Sequence, residues 1–410
     1  MWAIVQRVLV LSVTLVCASV QGWEFEGEVF SQLRLFGEAP DYPGQASQNQ
    51  SIAVELSAYH EFSKALSFEF VPFFRQDFQD DERSHGDIRQ AYALWAGSNV
   101  EVGVGINKVF WGVTEAQHLV DIINQTDAIE ALDQEEKLGQ PMLSLSLPIA
   151  NGLVDIYLMP YFRERTFAGK DGRLRPAIVI DTDNPVYEHP NREHHLDWAV
   201  RLKQSFQQTE FALSYFEGTG RDPSIIRSTT LSESVLAPYY PQIRQFGFEA
   251  QYIRDAWLWK LETIYREGQP NLQFSVDNYY AVTGGFEYNM YAIFNTTHDL
   301  GIILEGIYDE RRDLALSAQE EDIVLGTRWT LNNLNSTEIL ALWIQDADTS
   351  AHNLVLEFSM HYGKSVAITL EALMFSGYPG AESFNDLKAD QLGGQLRQDD
   401  YLQIEVGYFF

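Results

Sequence analysis

The sequence predicts an all-β fold, a single antiparallel transmembrane β-barrel of about 16–18 strands. Three observations lead to this prediction. Apolar and polar residues alternate along most of the chain, short and long connections alternate between the predicted strands, and no apolar stretch after the N-terminal segment is as long as a membrane helix. Successive side chains of a strand point to opposite faces, so a barrel strand needs to be apolar only on the face that meets lipid.

The N-terminal segment has the pattern of a secretory signal peptide. Arg7 precedes an apolar run from Val8 to Val16, and small residues follow it. We therefore expect residues 1–22 to be a cleaved signal peptide and residues 23–410 to be the outer-membrane β-barrel. The alternative, a transmembrane helix, is disfavoured because the run is shorter than the roughly 20 apolar residues that a span needs.

Cysteine usage and charge exclude several classes of protein. Cys17, the only cysteine, lies in the N-terminal segment, so the mature chain has neither a disulfide nor a thiolate metal site. The chain has 28 basic and 58 acidic residues, a net charge of −30. Phosphate binding requires a basic face, and we therefore expect no nucleic acid partner.

The C-terminal residues YLQIEVGYFF give the clearest strand pattern. One face of this predicted strand is apolar, and it carries Leu402, Ile404, Val406, Tyr408 and Phe410. The same alternation recurs in IAVELSAY, LSFEFVPFF, VEVGVGIN, LDWAVRLK, WLWKLETIY, LVLEFSMHY and VAITLEALM. A soluble β-sandwich also alternates, but the apolar faces here are rich in Phe, Trp and Tyr and no linker interrupts the pattern. Both features favour a lipid-facing wall with aromatic girdles.

Connection lengths give an independent argument for the barrel. Links after even-numbered predicted strands are mostly short: 63–65, 98–99, 150–152, 207–208, 255, 332–335 and 363–365. Links after odd-numbered strands are longer, and they include 37–50, 108–141, 161–193, 218–242 and 377–398. Outer-membrane barrels have short periplasmic turns and long outer loops, whereas a sandwich has no reason to segregate loops in this way. Met142–Ile149 and Tyr291–Asp299 are the least certain assignments and leave the strand count open.

With these features the chain resembles the porin-type outer-membrane β-barrels of Gram-negative bacteria. The resemblance is architectural and covers residues 23–410. It implies that the last strand, ending in Phe410, is the signal read by the barrel-assembly machinery. It also implies a channel for passive diffusion of small hydrophilic solutes, embedded in outer-membrane lipids, with the possibility of a homo-oligomer. We expect no cofactor and no bound metal.

One stretch, NKVFWGVTEAQHLVDIINQTD, departs from the strand pattern. Leu119, Ile122 and Ile123 recur at helical spacing, and Thr114 with Gln117 resembles an N-terminal capping box. The resemblance to porins implies that this third outer loop folds inward and narrows the pore. We therefore predict a short helical inward-folded loop. Its predicted pore-constriction residues are Lys108, Glu115, His118, Asp121, Asn124 and Asp127. The alternative is that these groups only hold the loop to the barrel wall.

The face opposite the apolar one is rich in carboxylates. The alternation assigns the following charged residues to the lumen: Glu55, Glu69, Arg89, Glu101, Arg201, Lys203, Glu249, Glu262, Glu287, Glu305, Arg328, Glu357 and Glu371. Some of these charges are expected to pair, because unpaired buried charge is costly. The excess of carboxylate predicts a preference for cations, as rings of Asp and Glu provide in other pores.

Two other functions remain open at this point. One is a plugged or structural barrel that serves an envelope complex. The other is a barrel hydrolase, for which His194 and His195 lie beside Glu193 and Asp197. No G-x-S-x-G or H-E-x-x-H motif supports catalysis, and we expect the protein not to be an enzyme.

Overall fold

The computed structural model of the chain describes residues 22–227, 236–380 and 387–410. Except for Gly22, the expected signal peptide lies outside the described residues. None of the helices in the described part of the chain has the length and apolar character needed to cross a membrane.

Eighteen strands of the described chain form one closed antiparallel sheet. They are β1 (Trp23–Phe36), β2 (Gln48–Ser63), β3 (Leu66–Asp77), β4 (Gly86–Ala96), β5 (Glu101–Asn107), β6 (Gln140–Ile149), β7 (Gly152–Met159), β9 (Asp197–Phe206), β10 (Thr209–Thr219), β13 (Gln242–Arg254), β14 (Trp257–Glu267), β15 (Tyr279–Met290), β16 (Asp299–Asp309), β17 (Glu321–Thr330), β18 (Glu338–Asp346), β19 (His352–Tyr362), β20 (Val366–Ser376) and β21 (Tyr401–Phe409). The last strand pairs with the first, with Phe36 opposite Tyr401 and Glu28 opposite Phe409. This closure removes the sheet edges and pairs the backbone groups of every strand.

The observed connections confirm the predicted segregation of loop lengths. The end of the barrel with mostly short connections, here called the turn end, has links at 64–65, 97–100, 150–151, 207–208, 255–256, 291–298, 331–337 and 363–365. The opposite end, the loop end, carries the long segments 37–47, 108–139, 160–196, 220–241 and 377–400. Within two of these, β8 (Val186–Tyr187), β11 (Ser224–Arg227) and β12 (Leu236–Tyr240) form a small separate sheet. Of the two uncertain assignments, Met142–Ile149 lies in β6, whereas residues 291–298 form a turn before β16.

Burial follows the predicted alternation. Along β16, Ile303, Glu305 and Ile307 point inward and are buried, while Ile302 points outward and is exposed. Large apolar side chains are exposed around the outer wall, among them Leu213, Phe246, Trp259, Leu325 and Val406. The apolar surface therefore lies outside and the polar surface lies inside, the reverse of a soluble domain.

The prediction of a helix in the third long loop is wrong. Residues 108–125 contain no helix, and the one α-helix in the described residues is Ala389–Gly394, in the last long loop. Thr114 makes no capping box: its hydroxyl lies 2.7 Å from both the Gln117 carbonyl and the Glu262 carboxylate and shares its single proton between these two acceptors. The helical spacing of Leu119, Ile122 and Ile123 reflects contact with the barrel wall and not helical backbone geometry.

Candidate functional site: the inner loop and the barrel interior

The segment 108–139 between β5 and β6, here called the inner loop, folds into the barrel. Trp111, Val120, Ile122 and Ile123 are at most 1% exposed. They pack against inward-facing wall side chains of β6, β7, β9, β10, β13, β14 and β15: Met142, Tyr157, Met159, Ala199, Phe216, Ile243, Ile264, Tyr279 and Ala281. Burial of apolar surface contributes about 25 cal/mol per Å², which gives this loop a strong reason to fold inward.

Glu262 on β14 holds the irregular backbone of the inner loop. One carboxylate oxygen, Oε1, accepts hydrogen bonds from the backbone N–H groups of Val113 (2.6 Å) and Thr114 (3.0 Å). The other oxygen, Oε2, accepts one from the N–H of Val120 (3.2 Å). Because the loop has no helix or strand to satisfy these donors, the wall carboxylate takes the place of secondary structure.

Glu305 on β16 holds the backbone of the next two loop residues in the same way. Its carboxylate accepts from the backbone N–H of Glu115 (2.9 Å) and of Ala116 (3.3 Å). The Glu115 side chain in turn contacts Arg328 on β17 and lies 3.4 Å from Lys260 Nζ on β14. Three wall strands are therefore tied to one turn of the loop.

Asp127 anchors the far side of the inner loop and is fully buried. Its carboxylate lies 2.8 Å from Arg89 Nη1, 3.4 Å from His85 Nε2 and 2.8 Å from the Thr166 hydroxyl, which donates to it. Burial alone would raise the pKa of Asp127, but these partners outweigh burial and lower it to about 2. The neighbouring loop residue Glu130 pairs with Arg75 of β3 at 2.7 Å.

Asp121 and Asn124 stabilise the loop from within. Asp121 accepts from the Trp111 N–H (3.2 Å) and lies 3.0 Å from Lys137 Nζ. The Asn124 side chain accepts from the Val109 N–H (2.9 Å) and donates to the Leu138 carbonyl (2.8 Å). Both side chains are almost fully buried, so they join separate segments of the loop rather than face open space.

His118 and Lys137 lie where two cavities meet. The cavity toward the loop end is lined by both residues and by Asp133, Arg266 and Asp309. His118 and Lys137 also line a second cavity, on the other side of the inner loop. Its other lining residues are Lys108, Val109, Phe110, Gly112, Val113, Thr114, Glu115, Glu135 and Lys260. Residues of the inner loop therefore line both cavities.

His118 also faces the carboxylate that anchors the loop. Its Nδ1 lies 3.9 Å from Glu262 Oε1, an ion-pair distance, and its ring meets Phe110 edge-on at 4.8 Å. Burial favours the neutral imidazole, but the Glu262 carboxylate outweighs burial and raises the pKa of His118 above its ordinary value. Gly112 is required here, because its φ is +146° and a Cβ would lie 2.9 Å from the imidazole.

The tip of the inner loop is acidic and open to solvent. Asp133, Glu135 and Glu136 are exposed. On the facing wall, Glu357 of β19 stands directly opposite Glu371 of β20, and their charges act on those of Asp133 and Glu135. Within the described residues, none of these five carboxylates forms an ion pair with Lys, Arg or His. They form a group of carboxylates without ion-pair partners at the tip of the inner loop and on the nearby wall.

The other charged residues predicted for the lumen lie on inward-facing strand positions. Several are paired: Arg201 contacts Glu249, Lys203 lies 3.1 Å from Glu210, and Lys260 lies 3.9 Å from Glu287. Glu55, Glu69 and Glu101 lie nearer the turn end, opposite Glu28, Tyr59 and Ser146 in the strand register. Leu402, Ile404, Val406, Tyr408 and Phe410 lie on the outer face of the last strand or at its end.

The histidines considered for catalysis lie apart from a serine nucleophile. His195 Nδ1 is 2.8 Å from Asp197, which also pairs with Arg221 at 2.7 Å. The Ser146 hydroxyl instead donates to Asp155 at 2.5 Å. Two basic residues of the long segment 160–196 bind other loops: Arg165 pairs with Asp222 (2.9 Å) and Arg173 with Asp399 (2.5 Å). Arg175 instead donates to carbonyls of its own segment.

Sequence reasoning missed the acidic tip and the two wall anchors. The run DQEE at 133–136 is visible in the sequence, but it lies outside the stretch 107–127 from which the pore-constriction residues were predicted. Glu262 and Glu305 were assigned to the lumen, yet their loop partners lie 148 and 190 residues away, a distance that alternation alone cannot bridge.

Comparison with known proteins supports the fold. Neither a family model nor a curated protein matches the chain. Pseudomonas aeruginosa OpdO has a similar structure, with a TM-score of 0.54, 10% identity, and coverage of 95% of this chain and 96% of that one. A mutant of Rh. blastica porin is similar at a TM-score of 0.42 and 12% identity, with coverage of 95% and 100%. The chain thus has the fold of a porin-type β-barrel.

Proposed function

We propose that this protein is an outer-membrane channel for passive diffusion of small hydrophilic solutes and that it prefers cations. One observation carries the proposal: an inner loop is anchored to the wall inside a closed barrel, and its exposed tip is acidic. A loop held in this way narrows the interior without needing a cofactor or covalent chemistry.

We infer that some polar residues of the inner loop hold it in place and that others border the passage. Asp121, Asn124 and Asp127 are engaged with the loop and the wall, and we infer that they hold it in place. His118 lines the cavities on both sides of the loop and Lys108 lines one of them, and we infer that both residues border the passage. Glu115 lies at the edge of the passage, but Arg328 and Lys260 balance its charge.

The preference for cations rests on carboxylates that form no ion pair. Within the described residues, no Lys, Arg or His lies within ion-pair distance of Asp133, Glu135 and Glu136 on the loop, and the charges of Asp133 and Glu135 act on Glu357 of the wall, which lies opposite Glu371. Carboxylates near a narrow, water-filled passage attract cations and repel anions. The paired charges Arg201–Glu249 and Lys203–Glu210 add little to this field because each pair is nearly neutral.

Planar bilayers with purified protein test the proposal. The wild-type barrel should conduct, and its reversal potential in a salt gradient should indicate cation preference. Asp133→Asn, Glu135→Gln and Glu136→Gln together should weaken that preference. A matched control removes three exposed carboxylates from the outer loops: Glu38→Gln, Asp41→Asn and Asp277→Asn. An anion-selective wild type, or an equal loss of preference in the control, would contradict the proposed role of the loop tip.

The proposed location and partners follow from the outer wall and the termini. The exposed apolar belt suits outer-membrane lipids. We infer export through a cleaved signal peptide at residues 1–22, and insertion by the barrel-assembly machinery through the outward face that ends in Phe410. Replacing Phe410 by Ser should reduce the amount of folded barrel in the outer membrane while leaving export intact. The mass of the purified protein in detergent measures whether it forms a homo-oligomer.

A second candidate is a plugged barrel that serves an envelope complex. The apolar cluster under the inner loop fills one side of the interior, and β8, β11 and β12 form an additional sheet at the loop end. Both features reduce the open cross-section. Absence of conductance where a control porin conducts would favour this function over the channel.

A further inference from the structure

A second group of carboxylates lies at the loop end, away from the inner loop. It consists of Glu320, just before β17, Asp322 on β17, Asp346 at the end of β18, and Asp390 in the short helix of the last long loop. All four are at least 94% buried, with exposures of 5%, 3%, 4% and 6%. The name acidic cluster is used for these four residues below.

The acidic cluster is compact enough to surround one ion. One carboxylate oxygen from each of Glu320, Asp322 and Asp346 lies within 4.8 Å of the others. Calcium binds oxygen ligands at about 2.3–2.6 Å, so two ligands on opposite sides of an ion stand about 4.8 Å apart. Asp390 joins the group through contacts with Asp346 and Thr349.

Several oxygens at the cluster have no partner. Among the described residues, Glu320 Oε2, Asp322 Oδ2 and Asp390 Oδ1 are buried without a hydrogen bond. The neutral side chain of Asn353 adds an independent observation. It is only 8% exposed, lies opposite Ile344, two residues before Asp346, in the β18–β19 ladder, and its Oδ1 is also unpartnered. Three of these unsatisfied oxygens belong to the acidic cluster, and the fourth belongs to a side chain that shares the neighbour Tyr378 with Asp322. Buried oxygens without a hydrogen bond are costly, and a bound cation would satisfy them.

No protein cation fills this role in the described part of the chain. The nearest basic side chains are engaged elsewhere: Lys388 lies 2.8 Å from Asp313, Arg312 lies 3.4 Å from Glu321, and Arg311 pairs with Asp309 at 2.6 Å. Burial, followed by the charges of Asp390, Asp322 and Asp346, raises the pKa of Glu320 to about 8. The cluster is therefore electrostatically unfavourable without a counter-ion.

We propose that the acidic cluster, with Asn353, is a binding site for a hard divalent cation, best suited to Ca²⁺. Carboxylate and amide oxygens are the ligands that Ca²⁺ prefers, and its variable coordination number suits an irregular set of donors. The ion would join the segment 310–320, the start of the loop 347–351 and the last long loop at 377–400. It would thus fasten three outer loops at the mouth of the barrel.

Binding can be measured with Tb³⁺, which replaces Ca²⁺ and emits when an aromatic ring nearby absorbs light. Tyr378 is suitably placed, because it interacts with both Asn353 and Asp322. Folded full-length mature barrel in detergent should show Tb³⁺ emission that Ca²⁺ competes away, and Ca²⁺ should slow proteolysis of the outer loops. EDTA should reverse the protection.

The decisive variant is Asp322→Asn with Asp346→Asn, and the matched control is Glu310→Gln with Asp348→Asn, two exposed neighbours. The cluster variant should lose at least about tenfold in Ca²⁺ affinity, since affinity follows the charge of the ligands. In EDTA it should resist proteolysis at least as well as wild type, because repulsion has been removed. If it does not fold, Glu320→Gln alone provides the same comparison. Absence of Tb³⁺ emission in wild type, or equal Ca²⁺ affinity in the cluster variant and wild type, would overturn the proposal.

Discussion

Thr114 gives both its backbone N–H (3.0 Å) and its hydroxyl (2.7 Å) to the same oxygen of Glu262, Oε1. These two residues are 148 positions apart in the chain, and their contact fixes the inner loop to the wall of β14. Weakening this contact should therefore loosen the inner loop.

Glu262→Gln should loosen the inner loop while leaving the barrel folded. Hydrogen bonds to a charged group contribute about 1.5–3 kcal/mol each, and the neutral amide retains only part of this. We expect the free energy of loop opening to fall by about 2 kcal/mol, which corresponds to roughly 30-fold faster amide exchange. Hydrogen exchange at Val113, Thr114 and Val120 measures this. Glu249→Gln, which removes a wall carboxylate paired with Arg201 and not with the loop, should leave the exchange unchanged.

His118 should make the loop sensitive to pH. Because its folded pKa is raised above the unfolded value of 6.5, the attraction to Glu262 is fully present below about pH 6.5 and is lost as pH rises through the folded pKa. Loop amide protection, corrected for intrinsic exchange, should therefore decline from pH 6 towards pH 9. In His118→Gln the decline should disappear. An identical decline in the variant would show that another group titrates.

Asp127 should stabilise the protein except in strong acid. Its folded pKa of about 2 lies below the unfolded 3.8, so its contribution is present above pH 3.8 and is lost as pH falls through about 2. The difference between the unfolded pKa of 3.8 and the folded pKa of about 2 corresponds to about 2 kcal/mol of stability. Denaturant unfolding in detergent at pH 7 should show a loss of this size for Asp127→Asn. The difference from wild type should shrink at pH 2, and exposed Asp133→Asn should show little effect at either pH.

The sequence predicted the barrel well because alternation is a local property. Each strand must be apolar on one face in lipid, so Leu402, Ile404 and Val406 identify their strand without reference to any partner. Loop lengths then gave the orientation of every strand. The inward folding of the third loop was also predicted, since Trp111 and Ile122 require an apolar shelter and the barrel interior provides one.

The conformation of that loop was not predictable from spacing. Leu119, Ile122 and Ile123 have the period of a helix, but wall carboxylates satisfy the backbone N–H groups of the loop and remove the need for one. The acidic cluster also depends on residues far apart in the chain. Asp322 and Asp346 lie opposite each other through strand register, and Asp390 lies in another loop. Such contacts belong to tertiary structure.

The central claim, that the acidic tip of the inner loop borders an open passage, is tested most directly by a single thiol. Cys17 is the only cysteine of the chain and lies in the predicted signal peptide, so Glu135→Cys gives the mature barrel one reactive group. In planar bilayers the variant should conduct, and a bulky thiol-reactive reagent should then reduce its single-channel current. Asp277→Cys, at the exposed outer rim, should react without a comparable reduction. An unchanged current after complete modification of Glu135→Cys would contradict the account.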